Sequence, residues 1–125
     1  MKAAWIERFG GPEVIQIGSR PVPVRNAGDV LVKMTAATLN HHDVYLRRGE
    51  AGRVRLPVVL GSDGVGEVIE ADPSSACRPG QKVAIYPVLA CGVCRACKGA
   101  APHKCLSFKM VGGERDGTHA DYVVV

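Results

Sequence analysis

Four cysteines fall within fifteen residues, as Cys91-Gly92-Val93-Cys94-Arg95-Ala96-Cys97 followed by Cys105. The spacing is C-x2-C-x2-C-x7-C. Cysteines three apart can turn their sulfurs toward one point. The return from Lys98 to Lys104, with Gly99 and Pro102 in it, can bring Cys105 back to close a tetrahedron. Four thiolates suit zinc, with Zn–S bonds of about 2.3 Å in a closed structural site. A closed site leaves no coordination position free, so the metal is expected to hold the loop and to do no chemistry. Arg95, Lys98, Lys104 and Lys109 surround the cysteines. Their charge offsets that of four thiolates on zinc and favours the thiolate form.

Three other chemistries compete. An iron–sulfur cluster is held by C-x2-C-x2-C-x3-C-P in ferredoxins, but here the last gap is seven residues and Leu106 follows Cys105. Such a protein would be brown, whereas a zinc protein is colourless. A nucleic-acid zinc finger needs a recognition helix beside its ligands, and Lys98–Lys104 is too short and too broken to be one. A set of disulfides needs an oxidising compartment, and the start, Met1 to Arg8, lacks the long apolar run of a signal peptide. The fifth cysteine, Cys77, reads as a plain free thiol, a small buried hydrophobe rather than a reactive group.

The elements that position these cysteines follow from composition and turn signals. The chain has 125 residues, net charge +4 and 46% hydrophobic residues. That is one domain by length, with enough apolar material for a core. Aromatic residues are 5%, too few for base-stacking platforms, so no nucleic-acid partner is expected. No apolar run reaches the length of a membrane span, so no membrane partner is expected either. These features fit a soluble, reduced, cytoplasmic domain. Fifteen glycines and eight prolines imply many tight turns and short strands.

Strands are predicted at Lys2–Glu7, at Val14–Ile17 (ended by Gly18), at Val30–Ala36, at Gly64–Ala71, at Lys82–Tyr86 and at Ala120–Val125. Pro21-Val22-Pro23-Val24 should be extended, because proline fixes its own φ and biases the residue before it. Asp43–Arg48 is predicted as one or two helical turns closed by Gly49. Many short strands between Gly/Pro turns predict a mainly β barrel or sandwich. The 91–105 lobe is an excursion from it that a metal would hold together. Gly61-Ser62-Asp63-Gly64-Val65-Gly66 is not a dinucleotide fingerprint: Ile69 stands at the third glycine position and a strand follows where a helix is needed. Those glycines read as close backbone packing.

The cysteine spacing, the Asp/Gly-rich turn at 61–66 and the Pro79-Gly80 turn occur together and in this order. In these features the whole chain resembles the N-terminal catalytic domain of the medium-chain dehydrogenase/reductase superfamily, which includes zinc alcohol dehydrogenases and quinone reductases. The resemblance implies a GroES-like β-barrel over residues 1–125 with short helices and a structural-zinc lobe at 91–105. It also implies an NAD- or NADP-binding Rossmann domain outside these residues. The zinc alcohol dehydrogenases place a catalytic-zinc cysteine where this chain has Asn40, and a Gly-His-Glu turn where it has Gly61-Ser62-Asp63. Asn40-His41-His42-Asp43-Val44-Tyr45-Leu46-Arg47-Arg48-Gly49 instead resembles the N-x-x-D-x-x-x-R-x-G signature of quinone reductases that work without catalytic zinc.

By that resemblance Asn40 and Tyr45 face substrate and nicotinamide, and His41 lies near the cofactor phosphates. His42 takes the place of a proton-relay hydroxyl, Asp63 belongs to the reaction centre, and Asp43 supports it from behind. On the residues alone, Asn40 can simply cap the helix, Tyr45 can belong to the core, and His41 and His42 can be solvated. His41, His42, Asp43 and Asp63 include nitrogen and oxygen ligands for an unorthodox metal site, but adjacent histidines point in different directions.

The function implied is the substrate-binding and catalytic part of an NAD(P)-dependent oxidoreductase, acting on a small alcohol, carbonyl or quinone and working as a homo-oligomer. The alternative is a stand-alone zinc-stabilised interaction module without catalysis. A strand and G-x-G-x-x-G after Val125 would discriminate the two. Residues 1–125 alone are expected to bind no nicotinamide cofactor tightly and to self-associate through an apolar face that includes Val123-Val124-Val125.

Overall fold

The computed structural model describes residues 1–125. Strand β1 (Lys2–Ile6) is the middle of a three-stranded antiparallel sheet, between β2 (Gln16–Ser19) and β4 (Val58–Val59). Strand β3 (Leu31–Ala37) and β5 (Gly64–Glu70) form the centre of a four-stranded sheet, flanked by β6 (Lys82–Ile85) and β9 (Tyr122–Val124). A bridge between Ala3 and Ala120 joins the two sheets. The mainly β expectation therefore holds, with the final strand on the edge of the larger sheet.

The second strand differs from its prediction. Pro12–Val14 form a 3-10 turn, and β2 starts at Gln16 and continues through Gly18. Gly18 pairs with Ala3 and lies under the Trp5 ring, which Arg20 covers from 5.3 Å, so this glycine makes room for the indole instead of ending the strand. At Gly66 a Cβ would run into the Lys33 carbonyl of β3. Close backbone packing is thus the reason for that glycine, and Gly64–Glu70 is a strand.

Helix α1 (His41–Arg48) begins two residues earlier than predicted. Asn40 caps it: its side-chain oxygen accepts the His42 N–H at 2.9 Å, and Asp43 reaches back to accept the Asn40 N–H at 3.2 Å. This reciprocal pair satisfies two otherwise orphaned donors of the first turn. Leu46, fully buried, seats the helix in a cluster with Ile6, Val14, Val58 and Leu60. Arg47 is buried beside it and donates to the Gly10 carbonyl at 2.7 Å. A second cluster, Val32, Ile85, Val111 and Val123, belongs to the larger sheet. No helix is long and apolar enough to cross a membrane.

The lobe leaves the larger sheet through a two-stranded neck, β7 (Val88–Leu89) paired with β8 (Lys109–Met110). Inside it lie one turn of helix, α2 (Arg95–Lys98), and a 3-10 turn at Pro102–Lys104. Pairs this short carry no readable periodicity, so the neck has no signature in the sequence.

Candidate functional site

The four cysteines converge. Their sulfurs all lie within 4.8 Å of one another, and no other three His, Cys, Asp or Glu side chains in the chain are grouped to hold a metal. Cys94 Sγ lies 3.5 Å from Cys97 Sγ, and Cys91 Sγ lies 3.9 Å from Cys97 Sγ. Tetrahedral zinc with bonds of about 2.3 Å would space its sulfurs about 3.8 Å apart, so the donor set fits that ion. Helix α2 starts on Cys94 and carries Cys97, while the 3-10 turn returns Cys105 to the interior, where it is buried. Without metal the thiols differ sharply. Backbone N–H groups of Val93 and Cys94 draw the Cys91 thiol down to about 6. Burial, and then a hydrogen bond to Cys94 that favours the neutral thiol, pushes Cys97 up to about 12. Cys77 stands apart and half-buried, not in the core as its sequence reading had it.

The second site is a polar turn where the start of α1 meets Gly61-Ser62-Asp63. Asn40 Nδ2 donates to Asp63 Oδ2 at 3.0 Å, and the Ser62 hydroxyl donates to the same oxygen at 3.0 Å. Asn40 Oδ1 already accepts from His42, so both ends of the amide are fixed and one N–H remains free. Asp43, buried, takes the Gly61 N–H on its other oxygen at 2.8 Å. Its carboxylate thus ties the helix start to the turn. Gly61 has φ +91° and lies against Thr118 and the His119 ring, with no room for a side chain.

The structure brings together Asn40, Asp43 and Asp63 of the sequence-predicted set. His42 is half-buried on the first turn of α1, and its Nδ1 is buried with no hydrogen-bond partner. His41 and Tyr45 lie on the exposed side of the helix, ring edge to face at 4.8 Å, so Tyr45 is not a core residue. His41, His42, Asp43 and Asp63 do not converge as metal ligands. The nitrogen of Asn40 and the hydroxyl of Ser62 both turn toward a carboxylate as donors, which is the arrangement of a hydrogen-bond network and not of lone pairs around a cation.

Sequence reasoning missed the wall contributed by residues 117–119. Thr118 Oγ1 and the Thr38 N–H both donate to the Asp63 carbonyl, at 2.9 and 3.1 Å. His119 Nε2 lies 3.0 Å from the Thr38 carbonyl. The sequence carries no local signal for these contacts, since Thr38 and His119 are 81 residues apart.

Residues 26–125 match the alcohol dehydrogenase GroES-like domain. The chain belongs to that family. Its β-barrel accounts for the two joined sheets, and its members include the NAD-type alcohol dehydrogenases to which the chain is similar. The starvation-sensing protein RspB of Escherichia coli K12 is 33% identical over 131 residues, covering 100% of this chain and 36% of that protein. A crystal structure of an NAD-dependent alcohol dehydrogenase superposes with a TM-score of 0.90 at 40% identity, covering 100% of this chain and 37% of that one. A cobalt- and zinc-bound thermostable alcohol dehydrogenase from Pyrobaculum aerophilum superposes with a TM-score of 0.90 at 29% identity, covering 100% and 39%. The chain spans little more than a third of the length of these relatives. In this GroES-like domain the cysteine lobe and the polar turn are two separate centres.

Proposed function

We propose that residues 1–125 form the substrate-binding and catalytic domain of an NAD(P)-dependent oxidoreductase that reduces a small carbonyl or quinone without a catalytic metal. The fixed amide of Asn40 carries this reading. It offers one free N–H, held by His42 on one side and Asp63 on the other. A donor held in place before the reaction is worth most where charge develops during it.

When bound, a nicotinamide cofactor supplies the hydride; similarity to an NAD-dependent enzyme and the absence of a Gly-rich strand-to-helix turn within 1–125 support a site for it outside these residues. The carbon–oxygen π electrons then move onto the substrate oxygen, and the free Asn40 N–H meets that oxygen as it becomes negative. We assign proton delivery to His42, half-buried on the first turn of α1 and joined to Asn40 through its backbone N–H. Asp63 holds Asn40 in place, and Asp43 fixes the turn that carries Asp63. Tyr45 and His41, exposed together, would line the approach, and by the family resemblance His41 would meet the cofactor phosphates.

Cys91, Cys94, Cys97 and Cys105 would hold zinc as a structural ion, in keeping with the zinc-bound relative. Reduced thiolates suit a cytoplasmic setting, and we read the working enzyme as a homo-oligomer. The test is Asn40→Ala in the oxidoreductase that contains residues 1–125, assayed with NADH and NADPH against a panel of quinones, aldehydes and ketones. Loss of one such donor should cut turnover about a hundred-fold or more. Unchanged turnover in the Ala variant would overturn the assignment.

A further inference from the structure

We infer that His119 is a positioning residue that fixes the segment carrying Asn40 by donating a hydrogen bond from Nε2 to the Thr38 carbonyl. The inference rests on the reading that Asn40 acts on the substrate, although its test does not depend on activity.

The segment Thr35–Asn40 runs exposed from the end of β3 to the cap of α1. Leu39, next to Asn40, is 93% exposed and gives the segment no apolar anchor. Polar ties must therefore hold it. On one side Thr38 N–H donates to the Asp63 carbonyl at 3.1 Å. On the other, His119 Nε2 lies 3.0 Å from the Thr38 carbonyl.

A carbonyl oxygen can only accept, so Nε2 must carry the proton. His119 is itself held rigidly. Its backbone N–H donates to Leu60 at 2.9 Å and its carbonyl accepts from Ala4 at 2.8 Å. Its ring packs against Gly61, where no Cβ would fit. One imidazole thus touches both walls of the polar turn: Gly61 by packing and Thr38 by hydrogen bond. A phenyl ring in its place would keep the packing and lose the tie, whereas a glutamine could keep the tie.

The experiment is NMR on the 15N-labelled 125-residue chain. Two-bond 1H–15N correlations on the wild type should show His119 as the Nε2–H tautomer at neutral pH; the Nδ1–H tautomer would overturn the proposal. In His119→Phe, exchange of the Thr38 amide should rise about three- to ten-fold, the effect of losing one modest hydrogen bond. The Asn40 side-chain amide signals should shift or broaden, while Val68, whose amide bonds Gln81 in the larger sheet, stays as it was. His119→Gln should restore both signals. Unchanged Thr38 and Asn40 in His119→Phe, or an equal change at Val68, would contradict the proposal. If His119→Phe does not fold, the wild-type tautomer and His119→Gln still decide. Confirmed positioning with full turnover in Asn40→Ala would remove the catalytic reading and leave His119 as a structural tie of the Thr38–Asn40 segment only.

Discussion

Asp43 and Gly61 lie 18 residues apart and are joined by a buried hydrogen bond of 2.8 Å, from the Gly61 N–H to Asp43 Oδ1. The other carboxylate oxygen caps Asn40. One side chain therefore fixes both the helix start and the turn opposite it, and the reaction centre proposed here exists because those two segments are held together.

Asp43→Asn should break this junction. An amide can accept on one atom only, so one of the two backbone N–H groups would face an NH2 group. A buried donor left unsatisfied costs about 1–3 kcal/mol. Urea unfolding should show a loss of that size, with faster amide exchange at Gly61 or Asn40. Unchanged stability would show that the carboxylate does not join the two segments.

Leu46→Ala tests what anchors α1. Leu46 is fully buried against Ile6, Val14, Val58 and Leu60. Truncating such a residue typically costs about 2–5 kcal/mol. A loss well under 1 kcal/mol in chemical denaturation would mean that the helix is held by its polar cap and by Arg47 instead.

Acid should loosen the base of the larger sheet through Asp29. Arg115 binds it with two hydrogen bonds, of 2.9 and 3.2 Å, and this pairing holds its carboxyl below the ordinary carboxylate range. With the folded value lowered, the stabilisation is complete above the unfolded value of about 3.9 and is lost as pH falls through the folded one. Thermal unfolding followed from pH 6 down to about 2 should show the wild type losing more stability than Asp29→Asn in that window. Parallel curves would show that the pair contributes nothing.

Cys97→Ser should lower zinc content from about one ion per chain to near none, because a closed four-thiolate site loses a quarter of its ligands. The lobe hangs on a two-stranded neck and none of residues 91–105 belongs to either apolar cluster, so disorder should stay within residues 91–105. Metal analysis with residue-resolved amide exchange would check both halves. Retention of a full zinc ion would mean that Cys97 is not a ligand.

Local patterns made much of this legible. The cysteine lobe could be read directly because its ligands lie within one short stretch, and chelation depends on that spacing. Asn40 was visible as a cap, though α1 reaches back to His41 where the prediction began it at Asp43, and the part Asp43 plays in the cap shows only in the structure. Gly18 misled because a glycine inside a strand and a glycine ending one look alike without Trp5 above it. Thr118 and His119 were invisible for a different reason. Their contacts to Asp63 and Thr38 span 55 and 81 residues, and they follow from how the two sheets join at Ala3 and Ala120. A polar residue in such a place looks like any loop residue until that junction is known.

The central claim is a division of labour: a metal at the four cysteines, and a metal-free hydrogen-bond network at Asn40, Ser62 and Asp63. Anomalous diffraction at the zinc edge, from crystals grown with zinc supplied, tests it most directly. The account predicts one peak, equidistant from Cys91, Cys94, Cys97 and Cys105 at about 2.3 Å from each sulfur. A second peak beside Asn40, Ser62 and Asp63 would contradict it, because it would put a Lewis acid where we place an amide donor.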